Sequence, residues 1–388
     1  MASQRPPPRR VRPMSRRGRS TPLALVLGAA LLGLCGTAPA GDAPSVDVEV
    51  IADGLAWPWS LAFLPGGDFL VTERGGRLLR IDAASGEARP VTGGPAPLVA
   101  GQGGYQDVVL DPDFDRNGWL FLSYARGTPG ANATTIHRAR LDGDQLVDGR
   151  DVFAVTPQKT TAQHYGARMA FLPDGTLLMT TGDGWDHREE AQDRSGLLGK
   201  IVRVDRDGAP VPDNPFVDDE TAAPELYSYG HRNPQGLAVA SDGTIWQHEH
   251  GPRGGDEINR IEAGENYGWP VATHGLDYIG ARISPFTDYE GMRAPLHQWT
   301  PSIGPSGLAV YEGEVFDAWR GDLLVGGLAI PGLYRAAVVD GTVGVVERVV
   351  PAIDERVRDV RAGPDGYVYL LIDADPGRLL RLRPAPAP

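Results

Sequence analysis

One pattern of apolar and polar positions recurs along the chain. An apolar run meets a turn made from Pro, Asp or Gly, and a second run of alternating apolar residues follows. It appears as Leu61-Ala62-Phe63-Leu64-Pro65-Gly66-Gly67 leading into Phe69-Leu70-Val71, and as Val108-Val109-Leu110-Asp111-Pro112 leading to Trp119-Leu120-Phe121-Leu122. The third copy is Met169-Ala170-Phe171-Leu172-Pro173-Asp174-Gly175 before Leu177-Leu178-Met179. The fourth is Leu237-Ala238-Val239-Ala240-Ser241-Asp242-Gly243 before Ile245-Trp246. A looser fifth copy joins Leu308-Ala309-Val310-Tyr311 to Asp322-Leu323-Leu324-Val325, and the last runs from Val360 through Gly363-Pro364-Asp365-Gly366 to Tyr367-Val368-Tyr369-Leu370-Leu371. Each copy predicts two strands and a tight turn, with Asp-Gly supplying the positive φ that such turns need. Copies lie roughly fifty to seventy residues apart, the spacing of four-stranded blades with long loops. Sustained helical periodicity is missing from the sequence. The pattern predicts an all-β six-bladed β-propeller of four-stranded antiparallel blades, in preference to two β-sandwich domains. In a propeller, loops from every blade converge on one face, so distant residues can share a pocket.

Length and composition agree: 388 residues suffice for two average domains or one large all-β domain. The 51 glycines and 34 prolines are spread along the chain, as many short strands and turns require. Residues 1–40 read as a secretory signal: an Arg-rich head, the apolar run Pro22 to Leu34, and a small-residue site, Thr37-Ala38-Pro39-Ala40, with cleavage after Ala40. The apolar run is too short for a comfortable membrane span. Residues 41–388 then form a single propeller domain, periplasmic or secreted. Net charge is −13, and removing the seven arginines of the leader leaves −20. So acidic a body argues against nucleic acid and anionic membranes as partners. The one cysteine, Cys35, falls in the leader, so neither disulfides nor thiol chemistry serve the mature domain.

The densest chemistry lies in the stretch from Gly230 to Pro270. His231, Arg232, Asn233 and Gln235 form a polar knot before a short strand-like run, Leu237 to Trp246. Gly251-Pro252 follows, where carbonyls can turn outward because Pro lacks an N–H and Gly tolerates unusual torsions. Asp256, Glu257, Glu265, Asn266 and Tyr267 then supply hard oxygen donors. Guanidinium and amide groups beside such donors suit an organic polyanion held together with Ca²⁺. Three other clusters precede repeats in the same way: Gln102 before the second copy, Gln163-His164-Tyr165 before the third, and Arg356-Val357-Arg358 before the sixth. His164 has the right intrinsic pKa for a general base. Strand alternation points Arg356 and Arg358 to one side, as a pair of forks for carboxylates. This shared register expects all four clusters at one mouth.

The motifs GQGGYQDVVLDPDF, QHYGARMAFLPDG, LLGKIVRVD, GHRNPQGLA, EHGPRGGDEIN, NYGWP and RVRDV together resemble the soluble quinoprotein glucose dehydrogenases. The periplasmic aldose sugar dehydrogenases that use pyrroloquinoline quinone (PQQ) are closer still. The resemblance runs from about Leu55 to the last repeat. It implies oxidation of aldose sugars at C1 to lactones by hydride transfer to PQQ, with electrons passed on to a quinone, dye or redox protein, by a monomer or homodimer. It implies His164 as the base and Arg232 at the quinone oxygen, with Gln102, Asn233, Arg356 and Arg358 as further cofactor contacts. It implies Gly251 and Pro252 as carbonyl ligands of the Ca²⁺ beside PQQ, and Glu257 with the Tyr267 carbonyl as ligands of a second, structural Ca²⁺. Three positions depart from the pattern or are left open by it. Ala329 stands where many relatives have lysine, with Arg335 or Arg253 as possible substitutes. Gln163 stands where the glucose enzymes have aspartate. The long loop His274 to Pro295 is expected to shape substrate choice. Two other classes compete: a calcium-dependent propeller lactonase using metal-bound water, in which clustered arginines have no role, and a non-catalytic carbohydrate- or protein-binding propeller.

Overall fold

The structure, a computed structural model, describes residues 45–386. The leader, its cleavage site and Cys35 lie outside the described residues. Among those described, no helix is long and apolar enough to cross a membrane.

Six four-stranded antiparallel sheets follow one another along the chain. Blade 1 covers residues 58–91, blade 2 105–154, blade 3 166–229, blade 4 234–299, blade 5 305–349 and blade 6 357–384. The innermost strands are Pro58–Phe63, Tyr105–Leu110, Gly166–Phe171, Pro234–Val239, Pro305–Val310 and Val357–Ala362, and each neighbours the next around a closed ring. Blade 6 takes its outermost strand from the start of the domain: Val46–Leu55 pairs antiparallel with Gly377–Pro384. The protein is therefore a six-bladed β-propeller, as the repeats predict. Every repeat forms the inner hairpin of a blade. The fourth copy, Leu237 to Trp246, is such a hairpin: Pro234–Val239 and Ile245–Glu249 flank a turn with Gly243 at φ +86°.

The alternation has a double meaning here, because each blade is covered on both faces. In blade 1, Leu61, Phe69 and Val71 pack against Tyr369 and Leu371 of blade 6. Their neighbours in sequence, Ala62 and Leu70, pack against Val108, Leu120 and Leu122 of blade 2. The same happens at every boundary, so the core consists of six wedges, one between each pair of blades. Each such fully buried aliphatic side chain contributes about 1.5–3 kcal/mol.

The axis itself is polar. Arg168 lies 3.0 Å from Asp359 and 3.5 Å from Asp107, and Arg361 lies 2.8 Å from Asp107 and 2.9 Å from Asp359. This four-charge ring ties blades 2, 3 and 6 together. Arg168 also covers the Trp59 ring at 4.1 Å and donates to the carbonyls of Gln235 and Arg358. It forms a floor directly below residues that line the cavity described next.

Candidate active site

A cavity of about 1000 Å³ opens where the inner strands begin. All six blades reach it from that one position: Trp59, Gln102 with Gln106, Tyr165, Asn233 with Gln235, Ser302 with Gly304, and Arg356 with Arg358. The turns between second and third strands form a second tier, represented by Arg74, Gly251-Pro252-Arg253 and Leu328-Ala329. The lining holds four arginines (Arg74, Arg253, Arg356 and Arg358) and no carboxylate. A smaller adjoining cleft shares Pro252 and Tyr278 with it and is walled by Trp185, Arg232 and Trp269. The expected convergence of the Gln102, His164, Arg232–Gln235 and Arg356–Arg358 clusters thus occurs at one end of the ring.

His164 lies just behind this lining, 3% exposed, in the left-handed region at φ +47°. Its backbone N–H donates to Gln102 Oε1 at 2.8 Å. Its Nδ1 lies 2.6 Å from Asp183 Oδ1. Asp183 also accepts the Trp185 backbone N–H and the Trp269 indole N–H, each at 2.8 Å. With the carboxylate as acceptor, Nδ1 carries the proton and Nε2 keeps its lone pair. Burial lowers the pKa of His164, the Arg232 and Lys159 charges lower it further, and Asp183 works against them. The imidazole is therefore held neutral, as a base must be. Lys159 fixes the loop from behind: its Nζ donates to the carbonyls of Thr161 and Gln163 and sits 3.2 Å from the Tyr165 ring centroid. Trp185 meets the imidazole edge at 4.9 Å and stacks on Tyr278 at 5.2 Å, so the loop 274–295 does reach the site.

Arg232 is 5% exposed, and its guanidinium donates to the carbonyls of His250 and Gly251 and to the Tyr278 hydroxyl. Trp269, Trp185 and Tyr278 surround it, with the nearest ring centroid at 5.3 Å. Among the described residues no carboxylate comes within ion-pair range of it. Its neighbour His231 plays a different part. Buried between Glu249 and Ser228 and stacked on Tyr267, it braces the blade. Asn233 Oδ1 accepts the Gly166 N–H, linking blade 4 to the loop of His164.

Arg356 and Arg358 both line the cavity and share Asp373 at 2.7 and 3.1 Å. Plain strand alternation is not what brings them together, because Arg356 precedes the strand Val357–Ala362 and the pairing is irregular between Val357 and Asp359. Arg335 is committed to Asp322 and Glu347 and does not line the cavity, whereas Arg253 does and is exposed.

The oxygen donors of the Gly230–Pro270 stretch divide. Asp256 is a loop tie that accepts from the Gly251 and Gly304 N–H groups and Ser302. Glu265 pairs with Arg293, and Asn266 exchanges hydrogen bonds with Gln192. Glu257 is different: it faces Glu249 across the strand pair, accepts only a 3.3 Å contact from Asn259, and has no cationic partner among the described residues. Burial, with Glu249 adding, pushes its pKa well above the usual carboxylate range. Two voids of about 10 Å³ adjoin it, and Tyr267 lines one of them. The Tyr267 hydroxyl is itself tied to the Arg260 carbonyl, which leaves its backbone as the part available to an ion. An uncompensated buried carboxylate beside an ion-sized void fits a cation. The Gly251-Pro252 loop is equally constrained, since a Cβ on Gly251 would lie 2.2 Å from the Gly254 carbonyl oxygen.

Sequence reasoning missed Asp183, Trp185, Trp269 and Lys159. Asp183 sits in Gly182-Asp183-Gly184, which reads as ordinary turn chemistry. Its offset from the end of Leu177–Thr181 was the available signal.

Residues 55–381 match the sequence profile of the family described as Glucose / Sorbosone dehydrogenase. Aldose sugar dehydrogenase YliI of Escherichia coli is 40% identical over 348 residues, covering 88% of this chain and 93% of that protein. The crystal structure of the soluble aldose sugar dehydrogenase of Escherichia coli in its apo form superposes with a TM-score of 0.85 at 39% identity, over 88% of this chain and all of that one. The PQQ-bound form of an aldose sugar dehydrogenase from Streptomyces coelicolor gives 0.72 at 32% identity, over 88% and 99%.

Proposed function

The chain belongs to the glucose/sorbosone dehydrogenase family, and from that premise we propose that it oxidises aldose sugars at C1 to lactones with PQQ and Ca²⁺. The observation carrying this reading is the arginine-lined, carboxylate-free cavity in a chain of net charge −13. Charge of that sign in an acidic protein calls for an anion with several carboxylates. About 1000 Å³ also holds a tricyclic cofactor and a sugar, being at the upper end of small-molecule sites.

The chemistry that PQQ and Ca²⁺ supply when bound is hydride acceptance at an electrophilic quinone carbon and Lewis-acid polarisation. The chain's own residues do the rest. His164 Nε2 takes the proton of the anomeric hydroxyl, and Asp183 holds the ring in the required tautomer and stabilises the imidazolium that forms. Arg232 offers positive charge where negative charge develops, inside aromatic walls that exclude water. Arg356 and Arg358 grip cofactor carboxylates, while Gln102 and Asn233 orient it and fix the His164 loop. Gly251 and Pro252 offer carbonyls to the Ca²⁺ at the cofactor, and Glu257 with the Tyr267 carbonyl would hold the structural ion. Export ahead of cleavage at Ala40 is part of the proposal and sets the reaction in the periplasm or outside the cell.

The test is reconstitution, with purified apoprotein, PQQ and Ca²⁺ assayed for dye reduction in the presence of aldoses. Sugar-dependent turnover is expected. No turnover and no change in quinone absorbance at saturating Ca²⁺ would overturn the reading, and lactone hydrolysis without quinone would replace it with a hydrolase.

A further inference from the structure

We propose that Arg74 is an anion-binding residue that takes a cofactor carboxylate beside Arg356 and Arg358; this rests on the quinone reading above and deepens it. Arg74 occupies in blade 1 the turn position that delivers Asp183 in blade 3, Gly251 to Arg253 in blade 4, Ala329 in blade 5 and Asp373 in blade 6. It lies between the strands Phe69–Glu73 and Arg77–Ile81 and lines the cavity. The adjacent acid, Glu73, is spoken for: it is buried and accepts from the Ala56 N–H and from Arg77.

The backbone of Arg74 is fixed from two sides. Its N–H donates to the Trp57 carbonyl at 3.1 Å. Its own carbonyl presses on Gly104, where a Cβ would come within 1.9 Å of that oxygen. The guanidinium lies over the Trp57 ring at 5.0 Å. Among the described residues no carboxylate is within ion-pair range, and the side chain makes no hydrogen bond. A half-buried, pre-positioned cation with all its donors free, on a wall without acids, is built to meet an anion.

Its neighbours say which part of the ligand it meets. Trp57 donates its N–H to the Ala374 carbonyl at 2.9 Å, one residue beyond the Asp373 that holds Arg356 and Arg358. Arg74 therefore stands at the blade 6–blade 1 boundary, next to that pair. Two guanidiniums sharing one carboxylate leave a single uncompensated positive charge on this wall, and the other cations of the proposed site, Arg232 and the Ca²⁺ at Gly251-Pro252, belong to the blade 4 side. The blade 5 turn adds none, because it presents Leu328-Ala329. Arg253 is exposed at the mouth, where a charge speeds capture more than it tightens holding.

The experiment is a titration of apoprotein with PQQ in Ca²⁺ buffer, followed by tryptophan quenching and quinone absorbance, at several salt concentrations. It compares wild type, Arg74→Met, Arg74→Lys and Arg253→Ala, with the melting temperature of each apoprotein. Arg74→Met is expected to raise Kd about ten- to a hundred-fold and to flatten the salt dependence. Arg74→Lys should recover part of the loss, Arg253→Ala should change the association rate more than Kd, and no apoprotein should melt lower. Wild-type Kd and salt dependence in Arg74→Met overturn the inference while leaving the quinone reading intact. So does a destabilised Arg74→Met apoprotein together with an Arg74→Lys variant that binds no better. Failure of wild type itself to bind PQQ overturns both readings.

Discussion

Asp183→Asn removes one charge from the centre of the site while preserving shape. The carboxylate accepts three hydrogen bonds, from His164 Nδ1 at 2.6 Å and from the Trp185 N–H and Trp269 Nε1–H at 2.8 Å. An asparagine has one acceptor oxygen. Turned toward His164 and Trp185 it strands the indole N–H, which costs about 1–3 kcal/mol of stability. In that orientation the His164 tautomer survives, but the imidazolium formed in the transition state loses its counter-charge. A hydrogen bond to a charged group contributes about 1.5–3 kcal/mol, so kcat/KM should fall roughly ten- to a hundred-fold. The direction of the pH shift follows from the neighbours. Burial, Arg232 and Lys159 depress the His164 pKa, and Asp183 alone of these opposes them. Without the carboxylate the pKa falls further, so the acid limb of kcat/KM, where the base becomes protonated, moves to lower pH. The assay is steady-state dye reduction with an aldose across pH, beside a PQQ titration that should change little. An unchanged plateau, or an acid limb moved upward, would refute the dyad.

Three further outcomes follow from the same geometry. Glu257→Gln should raise the melting temperature measured in chelator, because an unpaired buried carboxylate is gone, and, if the proposed ion is held there, remove the rise in melting temperature expected on adding Ca²⁺ to wild type; an unchanged Ca²⁺ response would remove Glu257 from the proposed ion site. Asp373→Asn should cost about 3 kcal/mol in urea unfolding, nearly all of it through the buried Arg358 and little through Arg356, which is 46% exposed. Lys159→Met should leave the Thr161 and Gln163 carbonyls without donors and lower kcat well before it affects PQQ affinity; equal loss of both would mean that the lysine serves the fold alone.

The propeller was legible because every inner hairpin carries both faces of its packing in adjacent residues. Leu61 and Ala62 enter different wedges, so apolar runs too long for a one-sided strand recur around Asp-Gly turns. The strand Val46–Leu55 was not legible: it lacks the repeat, and its partner lies at the other end of the sequence. The site was readable where a blade brings titratable or forked side chains to the start of its inner strand, as with His164, Arg232 and Arg356. Blades 1 and 5 bring Trp59 and Gly304 to the same place, with no charge to mark them. The second tier stayed hidden for a different reason. Asp183 and Asp373 follow strands in Gly- or Pro-containing turns, where aspartate ordinarily caps its own backbone. Their roles emerge only once a histidine or two arginines from another strand are seen against them. The acidic run after Pro252 misled in the opposite direction, because hydrogen bonds to Gly304 and ion pairs to Arg293 employ residues that composition alone would assign to a metal.

The seam between Val46–Leu55 and Gly377–Pro384 has a consequence for biogenesis. Guanidiniums of the final blade belong to the cavity wall, and that blade is completed by the first strand of the domain. A nascent chain missing its last dozen residues thus possesses neither a sealed annulus nor an intact receptacle. On the proposed reading, capture of a small organic acid would follow the pairing of these two strands, and deleting either strand should abolish capture and shape together.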